Sequence, residues 1–137
     1  MSNGTHIMMI NSTDCTGTNT NFRSNLPRGL EPRRIELLYA NIATDPIDTT
    51  GGFYRIDIPE FGRDMLDSTG LAHTTFLVPN IAALGTRAVY NEALNFKQDS
   101  EKSASSQITQ LSVIIRNSDG SIATDSGFNQ FIVRLTY

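Results

Sequence analysis

Apolar residues in this chain recur at every second position, in short runs that end at proline, glycine or asparagine. This spacing places alternate side chains on opposite faces of an extended chain and is typical of half-buried strands. The pattern predicts strands over His6–Asn11, Asn21–Leu26, Arg34–Ile42, Phe53–Ile58, His73–Val78, Ile108–Arg116 and Phe131–Thr136. One more region, Asn80–Phe96, fits a helix capped by Asn80 or a strand from Arg87 about equally well.

The longest predicted strand, Arg34–Ile42, is apolar on both of its faces. Such a strand is buried on both sides, or has one face in a core and the other in a contact. A helix from Pro32 to Ile42 is the alternative interpretation. Strict alternation assigns Ile35, Leu37 and Tyr39 to one face, and Leu38, Ala40 and Ile42 with Glu36 to the other.

Three polar or irregular segments separate these strands. Thr13–Thr18 is predicted to be a loop, and Glu60–Gly70 has apolar residues spaced for one or two helical turns. Lys97–Gln107 contains Ala104 as its only apolar residue, so it buries too little apolar surface to offset its ordering entropy. We expect it to be an exposed loop and the first site of proteolysis.

Seven or eight short strands with long connections favour Greek-key topology, in which strands cross between two sheets. The predicted fold class is therefore all-β: a single jelly-roll β-sandwich of two four-stranded antiparallel sheets. Residues 1–137 would form one domain, with residues 1–18 as a possible N-terminal arm. An immunoglobulin-like sandwich is the alternative, but the chain has no Trp and only one Cys.

Charge and composition narrow the classes of function. The net charge of −3 indicates no basic face, so no direct nucleic-acid binding is expected. No run approaches 18 apolar residues, so no transmembrane segment is predicted. The cations are nine Arg and two Lys, and arginine is the cation enriched at protein interfaces. Arg28, Arg33 and Arg34, around the corner from Pro27 to Pro32, are the candidate interface charges.

The sequence contains no pattern that indicates catalysis. His6 and His73 lack the partners that a zinc site needs, and Cys15 has no histidine near it in sequence. We therefore expect no enzyme, and no catalytic residue, cofactor or metal. A ligand- or carbohydrate-binding β-sandwich, such as a receptor-binding head, is the alternative to a structural role. It would need exposed aromatic platforms, for which the chain offers four Tyr and no Trp.

The order N-F-R-S-N-L-P, R-R-I-E-L-L-Y-A-N-I and F-Y-R-I-D-I-P, within Asn19–Pro59, resembles small capsid proteins of icosahedral double-stranded DNA viruses of the double-jelly-roll lineage. The chain departs from that pattern after Ile42, where it carries A-T-D-P-I-D-T-T-G-G in place of a short turn. The resemblance implies a structural capsid protein, a penton or minor capsid subunit that forms homo-oligomers, with a pentamer favoured. It also implies contact with a major capsid protein, and a location in the virion after synthesis in the host cytoplasm.

Overall fold

A computed structural model describes residues 4–27, 29–43, 52–66, 73–80, 86–102 and 107–137. Within these residues the chain forms twelve β-strands and one 3-10 turn at Ser12–Asp14, and it contains no α-helix. No helix in the described ranges is long and apolar enough to cross a membrane. The strands are β1 Thr5–Asn11, β2 Thr16–Thr18, β3 Asn21–Asn25, β4 Arg34–Ala43, β5 Phe53–Asp57, β6 Met65–Leu66, β7 His73–Thr74, β8 Phe76–Pro79, β9 Arg87–Asn91, β10 Gln98–Glu101, β11 Gln110–Arg116 and β12 Gln130–Thr136.

Two antiparallel sheets make the fold a β-sandwich, as predicted. Sheet 1 has the order β1-β12-β4-β10, and β9 also pairs with β4. Sheet 2 has the order β2-β3-β11-β5-β8, and β6 pairs with β7 separately. Each main sheet therefore has five strands, where four were predicted. The difference has two causes: β9 and β10 share one side of β4, and the short strand β2 adds to β3.

The main strands pair in nested order: those nearest the two ends of the sequence pair with each other, and those nearest its middle pair with each other. The first pairs with the last (β1 with β12), then β3 with β11, β4 with β9 and β10, and β5 with β8. Strands β9 and β10 lie end to end along β4, opposite its second and first halves respectively. The path is therefore that of one long antiparallel hairpin folded across two sheets.

The core lies between the inner faces of the two sheets, and the described residues contribute 22 buried apolar side chains to it. The predicted alternation is confirmed in β3, where Phe22 and Ser24 are buried, and in β5, where Tyr54 and Ile56 are buried. Its largest fully buried side chains are aromatic, and each buries a large apolar area. They are Tyr54, Tyr90, Phe22, Phe61 and Phe76.

Strand β4 contains a β-bulge that strict alternation did not predict. Leu37 lies opposite Val133 and Tyr39 lies opposite Ile132, which leaves Leu38 as an extra residue on β4. An extra residue reverses the faces of everything that follows it. The predicted placement of Tyr39 on the same face as Leu37 is therefore wrong. The alternative of a helix from Pro32 to Ile42 is also wrong, because Arg34–Ala43 is a strand. The core side carries Ile35, Leu37, Ala40 and Ile42, while Tyr39 joins Glu36 on the outer face.

The prediction of an exposed loop at Lys97–Gln107 is wrong for its first part. Strand β10 occupies Gln98–Glu101, and both Gln98 and Ser100 are buried. Burial of the polar Gln98 is possible because its amide donates to the Leu77 carbonyl and accepts from the Leu77 N–H, both at 2.7 Å. Ala104 and the rest of 103–106 lie outside the described residues.

Other local predictions change in smaller ways. Residues 5–18, in the segment proposed as an N-terminal arm, form β1, the 3-10 turn and β2, which pair within the two sheets. Thr13–Thr18 is therefore not a simple loop. Glu60–Leu66 has no helical turn and contains β6 instead, while 67–70 lie outside the described residues. Asn80–Phe96 contains strand β9, with 81–85 outside the described residues.

A buried polar network holds the end of β1 against β12, β4 and the β2–β3 turn. The Asn129 amide donates to the Asn19 carbonyl at 2.7 Å and accepts from the Ala43 N–H at 2.8 Å. Ser12 Oγ donates to Asn19 Oδ1 at 2.7 Å and accepts from the Asn129 N–H at 2.9 Å. Because Ser12 and Asn129 are almost fully buried, these bonds fix the position of β1 as a strand of sheet 1.

Candidate assembly interface

The outer face of sheet 1 is built from four cross-strand rows. The strand registers place every second side chain of β1, β12, β4 and β9 or β10 side by side on this face. The first two rows are rich in charge and form the charged half of the face. The last two form the uncharged half and contain no acidic or basic side chain, but the Arg87 guanidinium donates to Asn41 Oδ1 in the last row. The rows are Thr5–Thr136–Arg34–Glu101, Ile7–Arg134–Glu36–Asp99, Met9–Ile132–Tyr39–Asn91 and Asn11–Gln130–Asn41–Val89.

Arg34, one of the predicted interface charges, is already paired within the chain. Its guanidinium contacts Asp99 Oδ2 at 3.2 Å and Glu101 Oε1 at 3.0 Å. The hydrogen bond to Glu101 and the charge of Asp99 raise the pKa of Arg34 above its ordinary value. Both carboxylates belong to β10, the strand that pairs with β4 at this point. The charge of Arg34 therefore helps to hold β10 against β4.

Glu36 is the centre of the charged half of the face. It is 8% exposed and accepts from Arg134 NH1 at 2.8 Å, and Lys97 Nζ lies 4.0 Å from its other oxygen. The pKa of Glu92 is raised, first by a hydrogen bond with the Glu36 carboxyl, then by burial and by the negative charge of Glu36. The positive charges of Arg134 and Lys97 act in the opposite direction.

Arg33 lies exposed at the same end of sheet 1, and its backbone joins two strands there. Its N–H donates to the Thr136 carbonyl at 2.8 Å, and its carbonyl accepts from the Lys102 N–H at 2.7 Å. Arg33 and Arg34 line a polar cleft of about 580 Å³ at this end. Arg28 lies outside the described residues. That these arginines contact a neighbouring subunit stays a prediction.

Large apolar side chains are exposed on the β1 side of this face. Ile7, 66% exposed, ends the charged row of Arg134 and Glu36, and Met9, 70% exposed, ends the first uncharged row. Met9 lies opposite Ile132, which lies opposite Tyr39, and both of these are partly exposed. Sequence reasoning missed this surface, although a signal was present. Four successive apolar residues, from Ile7 to Ile10, give a strand with two apolar faces, and only one can face the core.

Sheet 2 carries an apolar pocket on its outer side. The pocket has a volume of about 300 Å³, near the lower limit for small-molecule sites. Phe53 and Leu66 on its wall are 41% and 58% exposed. The tyrosines considered as sugar platforms are elsewhere: Tyr54 and Tyr90 are fully buried in the core. The full lining is Gly52, Phe53, Arg55, Met65, Leu66, Thr74, Leu77 and Ser118.

Cys15 and the acidic residues show no arrangement that favours chemistry. Burial raises the pKa of the Cys15 thiol, and the negative charge of Asp14 adds to this, against a hydrogen bond with Ser24 that lowers it. A thiol with a raised pKa is a weak nucleophile at neutral pH. Within the described ranges, no group of three or more His, Cys, Asp or Glu side chains could hold a metal ion.

Neither a protein-family model nor a curated protein matches this chain. The function is therefore inferred from the geometry of the chain itself, chiefly from the two halves of the outer face of sheet 1.

Proposed function

We propose that this chain is a structural subunit of an icosahedral viral capsid, a single jelly roll that serves as a penton or minor capsid protein. The order of strand pairing supports the jelly-roll topology. A jelly roll has eight main strands in two sheets, with two Greek keys. Counting β9 and β10 as one position, the eight positions here pair first with eighth, second with seventh, third with sixth and fourth with fifth.

The observation that carries the proposal is the uncharged half of the outer face of sheet 1. Met9, 70% exposed, lies in one row with Ile132 and Tyr39, and neither row of this half contains an acidic or basic side chain. Ile7, 66% exposed, borders this half from the end of the row of Arg134. Contiguous exposed apolar surface marks sites of protein association, whereas single exposed apolar residues do not. A subunit of a shell needs such a surface, because it works by burying its own faces against neighbours.

The partners of the proposed subunit are copies of itself, with a pentamer favoured, and a major capsid protein. The charged half of the same face would set orientation rather than affinity, because exposed ion pairs contribute little to binding energy. Arg33 is the better candidate for an intersubunit contact, since Arg34 already binds Asp99 and Glu101. The protein would reside in the virion, with no catalytic activity.

Native mass spectrometry of the purified protein, alone and with a major capsid protein, tests this function. A five-fold ring supports a penton, and a trimer supports a minor capsid or spike subunit. Co-assembly with the major capsid protein supports either role. A strict monomer at high concentration that also fails to bind the capsid protein would contradict the proposal.

The pocket on sheet 2 favours a second candidate, a ligand-binding sandwich. Its apolar wall suits a small molecule with an apolar body. Glycan-array screening and a screen of small apolar compounds by thermal shift would test it. Binding that is lost on Phe53→Ala and kept on Phe96→Ala, a similarly exposed Phe elsewhere, would support this function. Absence of binding in both screens would leave only the structural role.

A further inference from the structure

Strand β1 leaves one of its two edges without a partner strand. β12 is its only strand neighbour in the part of the chain that the structure describes. The Tyr137 N–H donates to the Gly4 carbonyl and the Ser12 N–H donates to the Asn129 carbonyl, both at 2.9 Å. Because bonding alternates along an antiparallel pair, the even-numbered residues of β1 bond to β12. Thr5, Ile7, Met9 and Asn11 therefore turn their backbone N–H and C=O groups to the open edge, where the Asn11 carbonyl accepts from Cys15 Sγ at 3.3 Å.

Two of the other outer strands, β8 and β10, are protected in ways that β1 is not. β8 ends at Pro79, and the Gln98 amide occupies both backbone groups of Leu77. The carbonyl of Glu101, on β10, accepts from the Gly62 N–H at 2.8 Å. β1 has seven residues with no charge, no proline and no register irregularity against β12. A long, flat, uncharged edge is the type that adds another strand.

We infer that the open edge of β1 is a docking site for β1 of a second copy of this chain, in antiparallel register about a two-fold axis at Met8. The inference rests on the proposed self-association and adds a two-fold contact between copies of different rings, because the contacts within a ring of five are head-to-tail. In this register Ile7 lies opposite Met9 of the partner copy, Thr5 opposite Asn11 and His6 opposite Ile10. The backbone groups that β12 leaves open then bond to their equivalents, because the pairs of odd-numbered residues are the hydrogen-bonded ones.

The side chains of β1 match this pairing. The exposed apolar pair Ile7 and Met9 meets the same pair from the copy, so one continuous apolar strip crosses the junction. The polar ends, Thr5 and Asn11, meet each other. A charged edge would place like charges close together across a two-fold axis, and β1 carries none. Each copy thus supplies the complement of the other, and sheet 1 continues from one sandwich into the next.

Charge on the open edge tests the inference first. Ile7→Lys and Met9→Lys place a solvated lysine on exposed positions, so the monomer should fold as before. Sedimentation velocity should show concentration-dependent pairing for the wild type, of single chains or of rings, and a pairing that is about tenfold weaker or more in either variant. Leu94→Lys, 84% exposed in the turn between β9 and β10, is the matched control and should associate like the wild type.

Single cysteines test the register, in a Cys15→Ser background. Two copies of Met8 would face each other about 4.5 Å apart at Cα, within the range for a disulfide. Met8→Cys should therefore give a disulfide-linked dimer under mild oxidation. Ile7→Cys should not, because two copies of residue 7 would lie about 8 Å apart.

The outcomes separate this inference from the proposed function. An oligomer that is unchanged by both lysine variants and forms no cross-link at residue 8 overturns the β1 pairing and leaves self-association standing. A cross-linked dimer that fails to co-assemble with a major capsid protein supports the pairing and counts against the shell role. A monomer whose β1 becomes protected from hydrogen exchange only by a different protein assigns the edge to that protein and overturns the self-pairing.

Discussion

The two edges of sheet 1 differ in how much of their hydrogen-bonding capacity the chain satisfies internally. The β10 edge is closed: Ser100 Oγ donates to the Gly62 carbonyl at 2.7 Å, and the Gln98 amide reaches across to β8. Its exposed side chains, Asp99 and Glu101, are charged and paired with Arg34. The β1 edge has apolar exposed side chains and no strand beyond it in the described ranges.

This difference shows that the polarity of a segment in the sequence did not predict how exposed that segment is in the fold. The polar segment Gln98–Glu101 became a half-buried edge strand, whereas the apolar run Ile7–Ile10 became the more open edge. Buried polar groups are tolerated when their hydrogen bonds are satisfied. Apolar groups remain exposed in a single chain when the surface is completed by another chain. The closed edge serves the fold, and we propose that the open edge serves assembly.

The largest expected effect is on the closed edge, from Gln98→Leu. The substitution removes both hydrogen bonds to the Leu77 backbone and leaves its N–H and carbonyl without those partners. We expect the free energy of unfolding to fall by about 2–3 kcal/mol, measured by urea denaturation. Gln110→Leu is the control: Gln110 is exposed, and its bond to Asn25 Oδ1 at 2.8 Å is a surface contact. Equal losses in the two variants would show that Gln98 does not close this edge.

The second effect is from Glu36→Gln, at the centre of the charged half. The variant keeps the size of a nearly buried side chain and removes the charge that faces Arg134 and Lys97. Because Arg134 is partly exposed, water compensates for part of the loss, and the removal of the Glu36 charge that repels Glu92 offsets another part. We expect a decrease of about 1–2 kcal/mol in the free energy of unfolding. Double-mutant cycles with Arg134→Gln measure the pair directly, and a coupling energy near zero would contradict the assigned contact.

The sequence predicted much of this fold, because strand periodicity is a local property. The alternation in β3 and β5 was correct, and so was the sandwich architecture. The β-bulge at Leu38 was not predictable, since it depends on the register with β12, more than 90 residues further along the chain. The burial of Gln98 depends on Leu77 in the other sheet. Such pairings are decided by tertiary contacts, which the local pattern does not contain.

The candidate interface was only partly predictable for the same reason. The sequence singled out Arg28, Arg33 and Arg34 as candidate interface charges around the corner from Pro27 to Pro32. It did not show that β10, more than 60 residues further along the chain, supplies Asp99 and Glu101 to Arg34. The run around Ile7 and Met9 was identified as a strand. That this strand is an edge follows from the order of sheet 1, and only that order shows which of its two apolar faces is left open.

The third effect is from Arg34→Ala, which removes two exposed ion pairs on the closed edge. Exposed pairs are worth little individually, so we expect a small loss in the free energy of unfolding that exceeds the loss in Arg33→Ala and decreases in 1 M salt. Arg33→Ala is the adjacent control, since the substitution keeps the backbone bonds of Arg33 to Thr136 and Lys102. The control should lie within about 0.5 kcal/mol of the wild type. A loss in Arg34→Ala that does not change with salt would contradict the ion-pair explanation.

The smallest effect concerns pH and Glu92, in the turn between β9 and β10. The pKa of Glu92 is raised above its ordinary value of 4.5, because it shares a hydrogen bond with Glu36, is partly buried and faces the negative charge of Glu36. A carboxyl with a higher pKa in the folded state holds its proton more tightly there. Its contribution to stability is therefore full below pH 4.5 and is lost as the pH rises through the folded pKa.

Glu92→Gln removes this loss, because a neutral amide cannot ionise beside Glu36. We expect the urea midpoint of the variant to exceed that of the wild type at pH 7, and the difference to disappear near pH 4. The pKa of Asp125 is lowered by hydrogen bonding to Asn19, so this group costs stability as the pH falls below 3.8, equally in both proteins. If the urea midpoint of Glu92→Gln is lower than that of the wild type at pH 7, then Arg134 and Lys97 attract Glu92 more strongly than Glu36 repels it.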